Sequence, residues 1–308
     1  MLPVRRLLAC VAVTCAAVTG CASGAAAPVT STAAPMQTAA PSSPLAGSAA
    51  ATSASATSAQ PDPAVVRNHA RTAIAAIAAK EPHGSISVAA LNTGTGARFV
   101  AGHNGGMWTA SAYKLFVLEA LMLREGGPVY GYEDGDADAA IENSDNAAGY
   151  RLFLAAGGNA GLEYAARKFG MKHTVLGVSD PTFTRTSAGD FLILVHNLVD
   201  QDSPLTPAAR HYALRLMRNV EADQRWGVSA AADKNSVFYN KNGWLSIDDS
   251  NGYGETDNDR WAVTSVGIIQ VHHQQVLMSI FTQHQRLMGD GVHLVERLAK
   301  LVAPVVAP

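Results

Sequence analysis

Apolar residues fall at helical spacing near both ends of the main body of this chain, and in strand-like runs just inside them. Val66, Ala70, Ala73, Ile74 and Ile77 share one face and predict a helix over 64–80. Residues 84–91 read as a strand, 92–96 as a glycine-containing turn and 97–100 as a returning strand, together a hairpin. An apolar run with helical spacing starts at Met107 and continues to Leu118. Further helices are predicted over 150–156, 160–169, 191–198 and 207–219, the last with Pro207 near its start. The final third turns to strands over 236–241, 261–270 and 275–282 and closes with an amphipathic helix over 292–302. This order predicts an α/β fold of the α+β type. An antiparallel sheet built from both chain ends is flanked by helices, with an all-helical lobe inserted between them.

The first sixty residues follow different rules. Arg5-Arg6 precede a short apolar stretch from Leu7 to Val18, the pattern of an export signal too short for a stable membrane span. It ends at Val18-Thr19-Gly20-Cys21, which resembles the lipobox of bacterial lipoproteins and implies cleavage before Cys21 and lipidation of that cysteine. From Ala22 to Gln60 the chain is mostly Ala, Ser, Thr, Pro and Gly with no charged residue, a composition that cannot offset chain entropy by burial. The expected organisation is a signal over 1–21, a disordered tether over 22–62 with a coil reach of about 35 Å, and a domain over 63–308. Such a protein would sit at the outer face of a cell membrane. All three cysteines lie in the signal segment, so the domain must be held by packing without disulfides.

The net charge of −2 and the lack of any basic run argue against a nucleic-acid partner. No Cys/His/Asp set has zinc spacing, and no metal is expected. Glu133, Asp134, Asp136 and Asp138 lie in a polar stretch over 126–138 that reads as a solvated acidic loop, without the spacing or the glutamate of a calcium loop. His272-His273 read as lying in or beside a strand end. Side chains there would point to opposite faces and not chelate together.

Chemistry enters at Ser111-Ala112-Tyr113-Lys114, the one Ser-x-x-Lys in the chain, at the head of the apolar run. Residues three apart share a helix face, so an amine can lie beside the hydroxyl and take its proton. Two further short motifs follow in order: Ser144-Asp145-Asn146, then Lys241-Asn242-Gly243 on a predicted strand. Taken singly, Ser-Asp-Asn is also a common helix cap and Lys-Asn-Gly a common hairpin turn. The ordered trio resembles the signature of class A β-lactamases and penicillin-binding proteins.

That resemblance implies roles. Ser111 would be the nucleophile and Lys114 its proton acceptor. Ser144 would pass a proton to the leaving nitrogen, and Lys241 would hold Ser144 and attract a substrate carboxylate. Asn146, Asn242, Gly243 and Trp244 would line the substrate site. The backbone N–H groups of Ser111 and Trp244 would form the oxyanion hole. The implied activity is β-lactam hydrolysis, or acylation by β-lactams, through a Ser111 acyl-enzyme, by a monomer without cofactor. Two other readings stand beside it: an acyl hydrolase or penicillin-binding protein acting on cell-wall peptides of the D-Ala-D-Ala type, and a binding lipoprotein that keeps the fold without catalysis.

Four departures from the family pattern bear on this. Asn242 replaces a hydroxyl residue. Trp244 sets a large ring at the expected mouth of the site. The segment from Lys114 to Ser144 is short. The stretch over 177–186 offers Asp180-Pro181 where class A enzymes carry a glutamate; Asp180 reads more simply as a surface Asp-Pro turn, stands beside that as a candidate shorter-armed deacylation base, and leaves deacylation the weaker half of the machinery. Arg260, which could supply a cation for a substrate carboxylate, reads more simply as an exposed surface residue.

Overall fold

The computed structural model describes residues 62–81, 85–178, 180–248 and 259–308. The signal segment, Cys21 and the tether up to residue 61 lie outside the described residues.

Asp62 opens the first helix, α1 (Pro63–Ala78), by accepting the N–H of Ala64 at 2.8 Å. The hairpin follows as β1 (Ile86–Asn92) and β2 (Arg98–Gly102). Three long strands close the chain: β5 (Tyr239–Asp248), β6 (Asp259–Val271) and β7 (Gln274–Gln285), ahead of α8 (Met288–Val306). All five pair antiparallel in the order β2-β1-β7-β6-β5, so the first and last strands of the chain are neighbours.

Strand alternation buries both faces of this sheet. Val88, Ala90, Val276 and Met278 pack towards α1 and α8, while Ala89, Leu277 and Phe281 pack towards the helical lobe. That lobe contains α2 (Tyr113–Glu125), α3 (Tyr132–Glu142), α4 (Asn146–Ala155), α5 (Gly158–Phe169), α6 (Ala188–Asn197) and α7 (Pro207–Arg218). Phe191 of α6 meets Phe281 of β7 edge to face at 5.3 Å and locks the lobe to the sheet.

Several expectations change. The acidic stretch is a helix rather than a loop. Glu133 and Asp134 sit in the first turn of α3, where the helix end favours negative charge, and Ala137, Ala140 and Ile141 are buried beneath it. Asp136 pairs with Arg151, Asp138 with Arg215, and Asp134 accepts the hydroxyl of Tyr212. The strand expected over 236–241 runs instead from Tyr239 to Asp248, which keeps Lys241-Asn242-Gly243 on a strand, as expected, and well inside it. His272 and His273 form the two-residue turn between β6 and β7, both with positive φ, and the Asp233 carboxylate accepts both their N–H groups at 2.9 and 2.8 Å. A two-stranded ribbon of β3 (Met107–Trp108) and β4 (Arg185–Thr186) was not expected. Two residues carry no readable periodicity.

Candidate active site

Ser111 does not lie within α2 itself but in the 3-10 turn Ala110–Ala112 that runs into it. This turn is fixed from three sides. Thr109 N–H donates to Thr184 O at 2.9 Å, Thr264 hydroxyl donates to Trp108 O at 3.2 Å, and β5 presses against it. Ala110, just before the serine, has φ +44 and Ser144 has φ +61, left-handed conformations that cost L residues energy and persist only where surroundings enforce them.

Lys114 is buried at 0% exposure, and its amine is surrounded by oxygen. Nζ lies 2.8 Å from Ser111 Oγ, 2.8 Å from Ser144 O, 2.7 Å from Asn146 Oδ1 and 3.4 Å from Ser144 Oγ. Ser144 O and Asn146 Oδ1 can only accept. A neutral amine has two N–H bonds and one lone pair, so donating to these two leaves the lone pair for the Ser111 hydroxyl. Burial lowers Lys114 from the ordinary 10.5 to about 8, against the partial restoring pull of the Asp145 and Asp180 charges. The amine is thereby in reach of its base form near neutral pH.

Asp145 explains why this motif is both a cap and a site. Its carboxylate accepts the N–H of Ala148 at 2.7 Å and starts α4, which points Ser144 and Asn146 on either side of it at Lys114. From the opposite wall, Lys241 Nζ donates to Ser144 Oγ at 2.8 Å and to Asn242 O at 3.0 Å. Burial first, then the charge of Lys114, holds Lys241 well below the ordinary lysine range.

Successive residues of β5 face opposite ways. Lys241 and Gly243 face the serine, and a Cβ on Gly243 would stand 2.8 Å from Ser111 N, so only glycine lets the strand approach this closely. Asn242 and Trp244 face the other side of the sheet. The Asn242 amide, 1% exposed, donates to Gln224 O at 2.7 Å and Trp226 O at 3.1 Å, and the Asn240 amide reaches the same two carbonyls. The Trp244 ring lies 6.1 Å from that of Trp226 and not over the serine. Asp180 caps a 3-10 turn, Pro181–Phe183, by accepting the N–H of Thr182 at 2.8 Å. Its charge is felt at Lys114 and at the buried Tyr113, whose phenol burial holds above its ordinary value.

The motifs did not single out Gly149 or Tyr113. A Cβ on Gly149 would stand 2.7 Å from Lys114 Cε and 2.9 Å from the Tyr113 hydroxyl, so this helical glycine makes room for the lysine. A glycine in the second turn of a helix whose other residues are good or fair helix formers is the signal that could have marked it.

Comparison with known proteins bears on this geometry. The family model described as "Beta-lactamase enzyme family" matches residues 137–306, more than half of the chain. The chain belongs to the beta-lactamase enzyme family. Solved members share its fold at low sequence identity. A mutant of PBP-A, solved as its acyl-enzyme with penicillin G, superposes with TM-score 0.64 at 18% identity, over 79% of this chain and 97% of that one. The TLA-1 extended-spectrum β-lactamase gives 0.66 at 12% identity, over 79% of this chain and 99% of its own. A class A β-lactamase of Bacteroides cellulosilyticus gives 0.63 at 12%, over 81% and 100%. Among curated sequences, LppW of Mycobacterium tuberculosis, whose name describes it as a lipoprotein, is 36% identical over 93 residues. That match spans 29% of this chain and 30% of LppW.

Proposed function

We propose that this beta-lactamase-family chain is an exported, lipid-anchored serine enzyme that β-lactams or related acyl donors acylate on Ser111. The observation that carries the reading is the 2.8 Å approach of Ser111 Oγ to a buried Lys114 amine whose other near partners, Ser144 O and Asn146 Oδ1, take two of its N–H bonds and leave its third position to the serine. Ser111 Oγ attacks the acyl carbon and its proton passes to Lys114. The carbon–nitrogen bond of the donor then breaks, and Ser144, held by Lys241, delivers the proton to the leaving nitrogen. The N–H groups of Ser111 and Trp244 receive the oxyanion, a contribution of about 10²–10³ in rate per donor.

Deacylation is the slow half. Asp180 is the acidic residue of the abbreviated loop, and its carboxylate already accepts the Thr182 N–H while its side chain is a methylene shorter than a glutamate. This favours penicillin-binding behaviour over rapid lactam hydrolysis. Intact mass of the full-length protein mixed with penicillin, followed from seconds to hours, tests the reading. The expected result is a lasting adduct that Ser111→Ala abolishes. An adduct of equal yield in Ser111→Ala would sink it, and drug consumed without a lasting adduct would make the enzyme a true β-lactamase.

Cys21 anchors the chain and the 22–62 stretch tethers the 63–308 domain outside the membrane. The lipobox-like sequence supports this, as does the lipoprotein description of LppW. No helix among the described residues is long and apolar enough to cross a membrane. Cys21→Ala should move the protein out of the membrane fraction, and retention there would count against the anchor.

A further inference from the structure

Tyr113 stands between the candidate nucleophile and its base in the chain, and the proposed acylation steps make no use of its hydroxyl. The residue is 2% exposed. A Cβ on Gly149 would stand 2.9 Å from that hydroxyl and 2.7 Å from Lys114 Cε, so phenol and lysine arm run side by side against α4. The Lys114 nitrogen lies 5.4 Å from the centroid of the phenol ring.

The Tyr113 hydroxyl is hydrogen-bonded to the Thr182 side chain. Thr182 N–H in turn donates to Asp180 Oδ1 at 2.8 Å. The two ends of this short loop have ties of their own. Asn159 Nδ2 donates to Gly177 O at 2.9 Å, and at the other end Phe183 meets Trp108 edge to face at 5.8 Å. Between those ends, a line of contacts runs from the head of α2 through Thr182 to Asp180, the one carboxylate of the 177–186 stretch.

The charged and titratable groups that face Lys114 are Asp145 at the head of α4, Asp180 in the loop, Lys241 on β5 and Tyr113 beside it. The two carboxylates favour its ammonium form, and Lys241, when charged, opposes it. Arg185 is placed over the Trp108 ring, 5.3 Å from the centroid. Asp145 is fixed as the cap of α4, whereas Asp180 depends on a loop for its place.

We infer that Tyr113 is a positioning residue whose hydroxyl, acting through Thr182, holds the Asp180 carboxylate within electrostatic range of Lys114. The inference rests on the proposed Ser111 acyl-enzyme and adds to it a residue that touches neither the donor nor the reacting atoms. The held carboxylate favours the lysine's charged form, so releasing it should let Lys114 give up its proton at lower pH.

Acylation of the full-length protein by penicillin G, timed by intact mass across pH 6–10, tests this. Each variant's rate at pH 7 is divided by its own plateau rate, a ratio that follows the ionisation of Lys114 and not a general loosening of the fold. Tyr113→Phe should raise the ratio by about twofold or more, as expected when an opposite charge is loosened from a lysine. Thr182→Val, which cuts the same link from the loop side, should reproduce the change. Asp180→Asn should raise the ratio at least as far, and adding Tyr113→Phe to Asp180→Asn should change nothing further. An unchanged ratio in Tyr113→Phe, or an effect that persists without the Asp180 charge, overturns the inference. If no adduct forms on Ser111, the acyl-enzyme reading itself fails. Carbon-13 magnetic resonance of labelled lysine side chains then follows Lys114 without any donor: a lower midpoint in Tyr113→Phe sustains the inference and an equal one overturns it.

Discussion

Lys114 and Lys241 point their amine nitrogens at the same hydroxyl, Ser144 Oγ, at 3.4 and 2.8 Å. Burial penalises each ammonium, and the charge of Lys114 lowers Lys241 further. Both lysines accordingly lie below their ordinary range. Lys114, lowered to about 8, is the lysine that also touches Ser111, within reach of the form able to accept a proton.

The first prediction concerns Lys114 directly. Lys114→Ala keeps the serine but removes its base, and general-base assistance contributes about 10²–10⁴-fold. Acylation by penicillin should fall within that range while thermal unfolding shows the domain still folded. A variant with unchanged acylation rate would remove Lys114 from the proposed mechanism.

The second concerns pH. The acylating form needs Lys114 neutral, so the acylation rate should climb as pH rises through about 8 and level above it. The sign for stability is the same. The folded lysine releases its proton before the unfolded one does, so the unfolded chain binds more protons between about 8 and 10.5, and stability from this group rises with pH across that window. Stopped-flow or rapid-quench mass measurements across pH 6–10 check the rate; a flat profile refutes the assignment.

The third concerns Gly149. Gly149→Ala places a methyl 2.7 Å from Lys114 Cε, the flexible end of a side chain, so the lysine moves rather than the helix. Acylation should drop by about 10²-fold, as expected for misplacement near 1 Å, with little change in unfolding temperature. Equal losses of folding and acylation would mean α4 itself had shifted.

The fourth concerns Asn242. Asn242→Ala removes two buried hydrogen bonds and leaves the carbonyls of Gln224 and Trp226 with the Asn240 amide alone, at a cost of about 1–3 kcal/mol in denaturant unfolding. No loss of stability would mean this amide does not secure the 224–226 segment to β5.

The fifth lies away from the serine. Glu119 is fully buried in α2, where its carboxyl accepts one hydrogen bond from Asn197 at 3.1 Å, and burial raises it well above the ordinary carboxyl range. An acid raised in the fold contributes stability that is complete below its unfolded value of 4.5 and is lost as pH rises towards the folded one. Glu119→Gln should therefore flatten the fall in unfolding temperature between pH 5 and 8; identical slopes would count against a buried neutral acid.

What could be read in advance followed the length of each signal. The helix at 63–78, the hairpin and the C-terminal strands carry long runs of apolar residues and were legible. So were the three motifs, whose side chains converge on Ser144. The acidic helix was not, because Gly135 and three aspartates have poor helix propensity. Its formation depends on Arg151, Arg215 and Tyr212, which only the tertiary fold brings near. The orientation of Asn242 and Trp244 was also hidden. Which face of β5 points to the serine is set by the close approach of Gly243 to Ser111, a contact between distant parts of the chain.

The position of β7 between β1 and β6 has a consequence for how the protein is made. Residues 86–92 wait for a partner, residues 274–285, that leaves the ribosome only after the whole helical lobe. Until it does, the β1–β2 hairpin has no neighbour in the sheet, and the β5–β6 pair, with Lys241, has nothing that joins it to β1. A chain with this wiring keeps its sheet open until β7 has been made. That is the condition the proposed export would require, with the chain threaded across a membrane before Ser111 and Lys241 are brought to the same cleft.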